Sequence, residues 1–122
     1  MENEENNRLI AEFMECKKDY GGYYKLPNVL QSNLRYSNVK VRLKDMKFDT
    51  SLDWLFPVIE KCEDSEGVLH LQYCRGEVKG WTENGTEFYY PYIEKQTSIK
   101  RMFLVVIDFI KWYNFNKNVL KK

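Results

Sequence analysis

The side chains best suited to catalysis or metal binding in this chain are three cysteines, Cys16, Cys62 and Cys74, and one histidine, His70. A structural zinc site takes four Cys or His ligands, usually in closely spaced pairs, and no C-x-x-C pair is present. The expectation is therefore three reduced, mostly buried thiols in a reducing compartment, with no metal and no cofactor. A Cys–His dyad would need His70 beside Cys62 or Cys74, but no cysteine-hydrolase signature surrounds either thiol. General acid–base chemistry needs two titratable groups held at one cleft. The carboxylates Glu12, Glu15, Glu60, Glu63 and Asp64 instead fall on positions read as solvated helix faces. No G-x-G-x-x-G or Walker-type loop appears, so the residues point to a protein that is not an enzyme.

Binding chemistry is better represented. Lys40, Arg42 and Lys44 alternate with apolar residues, which puts all three on one strand face. Lys25, Arg35 and Lys47 lie close in sequence, and Tyr20, Tyr23, Tyr24 and Tyr36 are interleaved with them. Basic side chains with exposed aromatics hold phosphates and stack single-stranded bases. A second cluster, Trp81, Phe88, Tyr89, Tyr90 and Tyr92, crowds one hairpin, and aromatic residues of this kind dominate protein–protein hot spots. Tyr89 and Tyr90 are consecutive, so one of them must point away from the core.

The elements that position these groups follow from periodicity. Leu9, Ile10, Phe13 and Met14 predict a helix over roughly 6–17, stopped by Gly21-Gly22. Tyr23-Tyr24-Lys25 reads as a short strand ended by Pro27, and Val39, Val41 and Leu43 read as a half-buried strand with a basic outer face. Trp54, Leu55, Val58, Ile59 and Cys62 mark a second helix from Thr50 or Ser51, with a capping-box-like pair in Thr50 and Asp53. Pro57 is expected to kink it. Strands over 68–74, 77–83 and 86–90 follow, joined by turns at Arg75-Gly76 and Asn84-Gly85. A long apolar helix from about Thr97 to Asn114, expected to be buried on more than one side, closes the chain, and the tail from Phe115 is expected to fray. The fold class is α+β: one domain over 1–122, an antiparallel sheet of three to four strands packed with three helices, in the order α-β-α-β-β-β-α.

Charge excludes some classes. Nineteen Lys and Arg against eighteen Asp and Glu give a net of +1, so no global field draws nucleic acid or mimics it. The N-terminus is acidic and polar, unlike a secretory leader. The longest apolar run, Met102–Ile107, is far short of the ~20 residues a membrane span requires. A location in the cytoplasm, with no membrane partner, is expected.

Three segments taken together resemble a family. They are Asn7-Arg8-Leu9-Ile10-Ala11-Glu12-Phe13-Met14, then Ser51 to Lys61 (SLDWLFPVIEK), then Asp108 to Asn114 (DFIKWYN). In this order they look like a group of small proteins carried by phages and prophages, related in pattern to the phage ABA-sandwich domains. The resemblance implies that Pro57 belongs inside the second helix. It offers no catalytic residue, and it covers neither the stretch from Gly21 to Lys47 nor the hairpin around Trp81. What it implies about function is a phage-encoded protein acting inside a bacterial host cell. It would bind and inhibit a host defence protein such as a CRISPR effector nuclease. The alternative is a single-stranded RNA- or DNA-binding accessory protein using Lys40, Arg42, Lys44, Tyr23, Tyr24 and Tyr36.

Overall fold

In the computed structural model, which describes residues 2–34, 40–65 and 67–120, helices and antiparallel strands share one core, an α+β arrangement. The elements are α1 (Glu2–Phe13), β1 (Lys17–Lys18), β2 (Tyr24–Lys25), α2 (Asn28–Leu34), β3 (Lys40–Val41), a 3₁₀ turn (Leu43–Asp45) and α3 (Leu52–Asp64). They are followed by β4 (His70–Cys74), β5 (Glu77–Trp81), β6 (Glu87–Tyr90) and α4 (Ser98–Leu120). The strands divide into two three-stranded antiparallel sheets, β1-β2-β3 and β4-β5-β6, where periodicity suggested a single sheet.

α1 stops at Phe13, four residues before the sequence reading ends it. Glu15 sits at φ 61°, and the Cys16 and Glu15 amides donate to the Ala11 and Glu12 carbonyls at 2.9 and 3.1 Å. Those are the two bonds of a Schellman motif, here with glutamate in the left-handed position usually held by glycine. The turn frees Lys17 and Lys18 to enter β1. Asn7, fully buried on α1, donates to the Leu43 carbonyl at 2.7 Å and the Met46 carbonyl at 3.3 Å, fastening the 3₁₀ turn to the helix.

α2 is an addition that periodicity does not show. Seven mostly polar residues give no repeat long enough to read, and the helix is set instead by Pro27, whose carbonyl accepts from the Leu30 and Gln31 amides at 3.0 Å. α3 begins after Ser51 with no side-chain cap, so the Thr50–Asp53 box does not define its start. Pro57 lies inside α3 and is buried, as the resemblance implies. One missing backbone bond is offset by the apolar ring packed in the core.

α4 is the central element. Phe103, Val105, Val106, Ile107, Phe109 and Ile110 are buried around more than one side, and the helix packs against α1, α3, β5 and β6. It continues to Leu120, so residues 115–120 are helical where fraying is expected from sequence. No helix among the described residues is long and apolar enough to cross a membrane.

In the second sheet, Arg75 and Gly76 both adopt positive φ, 52° and 84°, the signature of a type I′ two-residue hairpin. At the Asn84-Gly85 turn only Gly85 is left-handed, at φ 93°. The Asn84 side-chain oxygen accepts from the Thr86 amide and hydroxyl at 3.3 and 3.1 Å, and also from the Thr82 hydroxyl.

Candidate interaction faces

The catalytic candidates are dispersed. Cys62 is fully buried, and burial pushes its thiol far above the ordinary range. Cys16 is half-buried, and burial pushes it up to about 11 against the weaker opposing pull of Lys61. Cys74 is exposed at the end of β4. His70 shares its strand face, but four residues of extended chain put them about 13 Å apart. Nε2 of His70 lies 3.2 Å from the Glu83 carboxylate, and its ring stacks on Trp81 with centroids 5.5 Å apart. Among the described residues no three His, Cys, Asp or Glu side chains converge as a metal site.

The β4-β5-β6 sheet is covered on one side only. Leu71, Val78, Gly80, Phe88 and Tyr90 turn toward α4, with the Tyr90 hydroxyl donating to the Asp108 carboxylate. Burial and that carboxylate push the Tyr90 phenol well above its usual value. The opposite side carries His70, Gln72, Glu77, Lys79, Trp81, Glu87 and Tyr89. Register places Lys79 between Gln72 and Tyr89, and Trp81 between His70 and Glu87. Trp81 and Tyr89 are therefore diagonal neighbours, about 7–8 Å apart at the backbone. They flank a Lys79–Glu87 ion pair of 3.4 Å, while the Tyr89 hydroxyl donates to Glu77 at 2.6 Å. The carboxylates Glu77, Glu83 and Glu87 face solvent around one cation, Lys79, so this face is acidic and aromatic.

The five hairpin aromatics named from sequence therefore separate. Trp81 and Tyr89 stand together on the open face. Phe88 and Tyr90 belong to the packed face, because strand alternation assigns neighbours to opposite sides. Tyr92 lies beyond the sheet, its ring against Gly76 and 5.4 Å from the Arg101 guanidinium. His70 and Glu77 join Trp81 and Tyr89 through the register that the two-residue Arg75-Gly76 turn imposes, a signal present in the sequence but not used there to assemble the face.

The basic cluster is also rearranged. In β1-β2-β3, Lys17 pairs with Lys25 and Lys25 with Lys40, giving three lysines side by side on one face. The next row along is Asp19, Tyr23 and Arg42. The Asp19 amide donates to the Tyr23 carbonyl at 2.8 Å, and Arg42 donates to the Tyr23 hydroxyl at 2.9 Å with its guanidinium 4.9 Å from the ring centre. Lys44 leaves the strand face: it lies on the 3₁₀ turn and lines a groove with Glu4, Arg8, Lys18 and Tyr24, which Arg42 also borders. Tyr24 is buried, and Tyr36 falls outside the described residues. Lys17 and Lys25, absent from the sequence-based site, are its central members.

Asp19 organises the β1–β2 turn. Its Oδ1 accepts from the Gly21 and Tyr23 amides at 2.9 and 3.0 Å, and Oδ2 pairs with Lys40 at 3.2 Å. The Tyr23 amide bond is the main reason its carboxyl lies below the ordinary value, with Lys40 and the Gly21 amide adding to it. A carboxyl depressed in the folded state stabilises the turn above its unfolded value of 3.8, and that contribution is lost as pH falls through the lower folded value. The Gly21 and Tyr23 amide resonances are accordingly expected to hold constant from neutral pH to about 5 and to titrate together with a midpoint below the unfolded carboxyl value. Asp19→Asn removes the titration; a midpoint at or above that value contradicts the arrangement.

Comparison with protein-family models, with curated proteins and with solved structures finds no match.

Proposed function

We propose that this chain is a non-enzymatic binding protein that docks the open face of β4-β5-β6 onto a basic surface of a partner protein. The supporting observation is that face itself: Trp81 and Tyr89 stand on a sheet surface that no helix among the described residues covers, ringed by Glu77, Glu83 and Glu87. Large amphipathic rings at the centre of such a patch supply anchor residues, and surrounding charge selects a partner of opposite sign. A nucleic-acid groove on another protein is basic, so a nuclease is the class of partner this face suits. With the phage resemblance of the three helical segments, the reading becomes an inhibitor of a host defence protein, such as a CRISPR effector nuclease, acting in the bacterial cytoplasm.

The test is cleavage of labelled DNA by purified effector nucleases with and without the protein. Inhibition accompanied by a complex on size-exclusion chromatography is expected. Trp81→Ala is expected to weaken it about 30-fold or more, the result of losing a ~2 kcal/mol anchor. Tm should remain close to that of the parent, because Trp81 is not part of the buried core. Uninhibited cleavage with no complex, or inhibition indifferent to both Trp81→Ala and Tyr89→Ala, refutes the reading.

A further inference from the structure

We propose that the exposed face of β1-β2-β3 is a binding site for the phosphate backbone of single-stranded nucleic acid, separate from the protein-docking face. It is built from the in-register row Lys17–Lys25–Lys40 and the adjoining Arg42 and Tyr23.

The row is difficult to explain as scaffolding. Like charges directly opposite one another on neighbouring strands oppose pairing. Each of these strands is only two residues long, so there is little ladder to offset the repulsion. Lysine often guards a sheet edge against aggregation, but Lys25 lies on the central strand, where that explanation fails. Of the three, Lys40 has a carboxylate partner, Asp19, whose oxygens also hold the hairpin turn. Lys17 and Lys25 have no acidic partner among the described residues and are exposed. Strands spaced about 4.8 Å apart spread the three ammonium groups over ~10 Å, a track for consecutive phosphates. The adjoining row supplies a guanidinium fixed over an aromatic ring. At the tip of the same hairpin Tyr20 is wholly exposed, at 111% of its reference surface, and so is free to stack on a base. The near-zero net charge conceals this patch: Asp19 adjoins it, while Glu77 and Glu87 stand on the other sheet and Glu83 in its loop.

A single strand fits better than a duplex. Among the described residues the patch is a strand face with a protruding Tyr20 ring, and no helix or ribbon stands out from it to enter a groove. Stacking on Tyr20 requires an unpaired base.

The experiment is fluorescence anisotropy of the full chain with a labelled oligothymidylate of about 15 nucleotides, across a salt series. Binding is expected at low salt, with a log–log salt slope between about −2 and −3, corresponding to three or four phosphates neutralised. Lys25→Gln should weaken binding about fivefold and flatten the slope by about 0.7 while leaving Tm unchanged or higher, because it relieves like-charge repulsion. Tyr20→Ala should cost at least about fivefold. Lys111→Gln, on an exposed turn of α4, should change nothing. Failure to bind at low salt, binding indifferent to Lys25→Gln, equal affinity for a matched duplex, or binding to anionic vesicles but not to the oligonucleotide each overturns the proposal. A fall in Tm for Lys25→Gln overturns it too, since it would make the lysine structural. Trp81→Ala should leave the anisotropy curve unchanged, so this site and the protein-docking face succeed or fail independently.

Discussion

Replacing Gly80 with alanine should lower stability by about 1–3 kcal/mol, and valine should cost more. Gly80 is an inward-facing residue of the central strand β5, opposite α4. A Cβ there would lie 2.6 Å from Val105 Cγ1 and 3.1 Å from Leu69 Cδ1. Neither neighbour can yield easily. Val105 is fully buried and β-branched, so its rotamer in a helix is nearly fixed, and Leu69 is 1% exposed. The remaining response is for the sheet to lift from α4, the element around which the whole core is built. In thermal denaturation this corresponds to a loss of about 4 °C in Tm for each kcal/mol in a chain of this size. A double-mutant cycle locates the cause: Val105→Ala combined with Gly80→Ala should be less destabilising than the sum of the two, by about 0.5 kcal/mol or more. An unchanged Tm for Gly80→Ala, or strict additivity, would show that this contact does not set the sheet–helix distance.

The second large effect is expected at Arg101. Its side chain is 2% exposed and has no carboxylate partner among the described residues. One terminal nitrogen donates to the Gln96 carbonyl at 2.8 Å and to its side-chain oxygen at 3.5 Å, the other to the Ser98 hydroxyl at 3.2 Å. The guanidinium lies 5.4 Å from the Tyr92 ring, and Nε is unbonded. The cation also lies by the first turn of α4, where the helix dipole opposes positive charge. Two terms compete. Truncation to alanine removes three charge-assisted bonds, the Tyr92 ring contact and the packing of a long apolar stem, together about 2–4 kcal/mol. Substitution by methionine keeps most of the stem and removes a buried charge that was never neutralised, a change that is often close to neutral. Urea denaturation should therefore place Arg101→Met much nearer the parent than Arg101→Ala. Lysine should not rescue, because one ammonium cannot reproduce the two-pronged geometry. Equal losses for alanine and methionine would show that the charge-assisted bonds, not the stem, carry the effect.

How much of this could be read beforehand differs by element. The α4 stripe from Ile99 to Tyr113 is legible because burial on several sides keeps apolar residues at helical spacing over many turns. The β4–β6 hairpins are legible because Gly76 and Gly85 mark the turns, each at a positive φ that few other residues accept. α2 is hidden, since about two turns holding only three apolar residues are too short to show a period, and its start depends on the Pro27 carbonyl. The end of α1 is hidden for a related reason: glutamate rather than glycine takes the left-handed position at 15, so composition gives no stop signal before Gly21.

For the candidate sites, the sequence alone determined which residue types were present in surplus, namely lysines near residue 40 and aromatics near residue 85. Strand alternation also required Tyr89 and Tyr90 to face opposite ways. Tertiary structure decided which of them meet. Pairing among β1, β2 and β3 brought Lys17 and Lys25 beside Lys40 and left Lys44 outside the strands, whereas His70 meets Trp81 by a hairpin register that the Arg75-Gly76 turn already fixes. The reason is physical: neighbours along a strand are fixed by the covalent chain. Neighbours across a sheet depend on where each strand begins, and a shift of one residue would exchange the exposed face for the buried one.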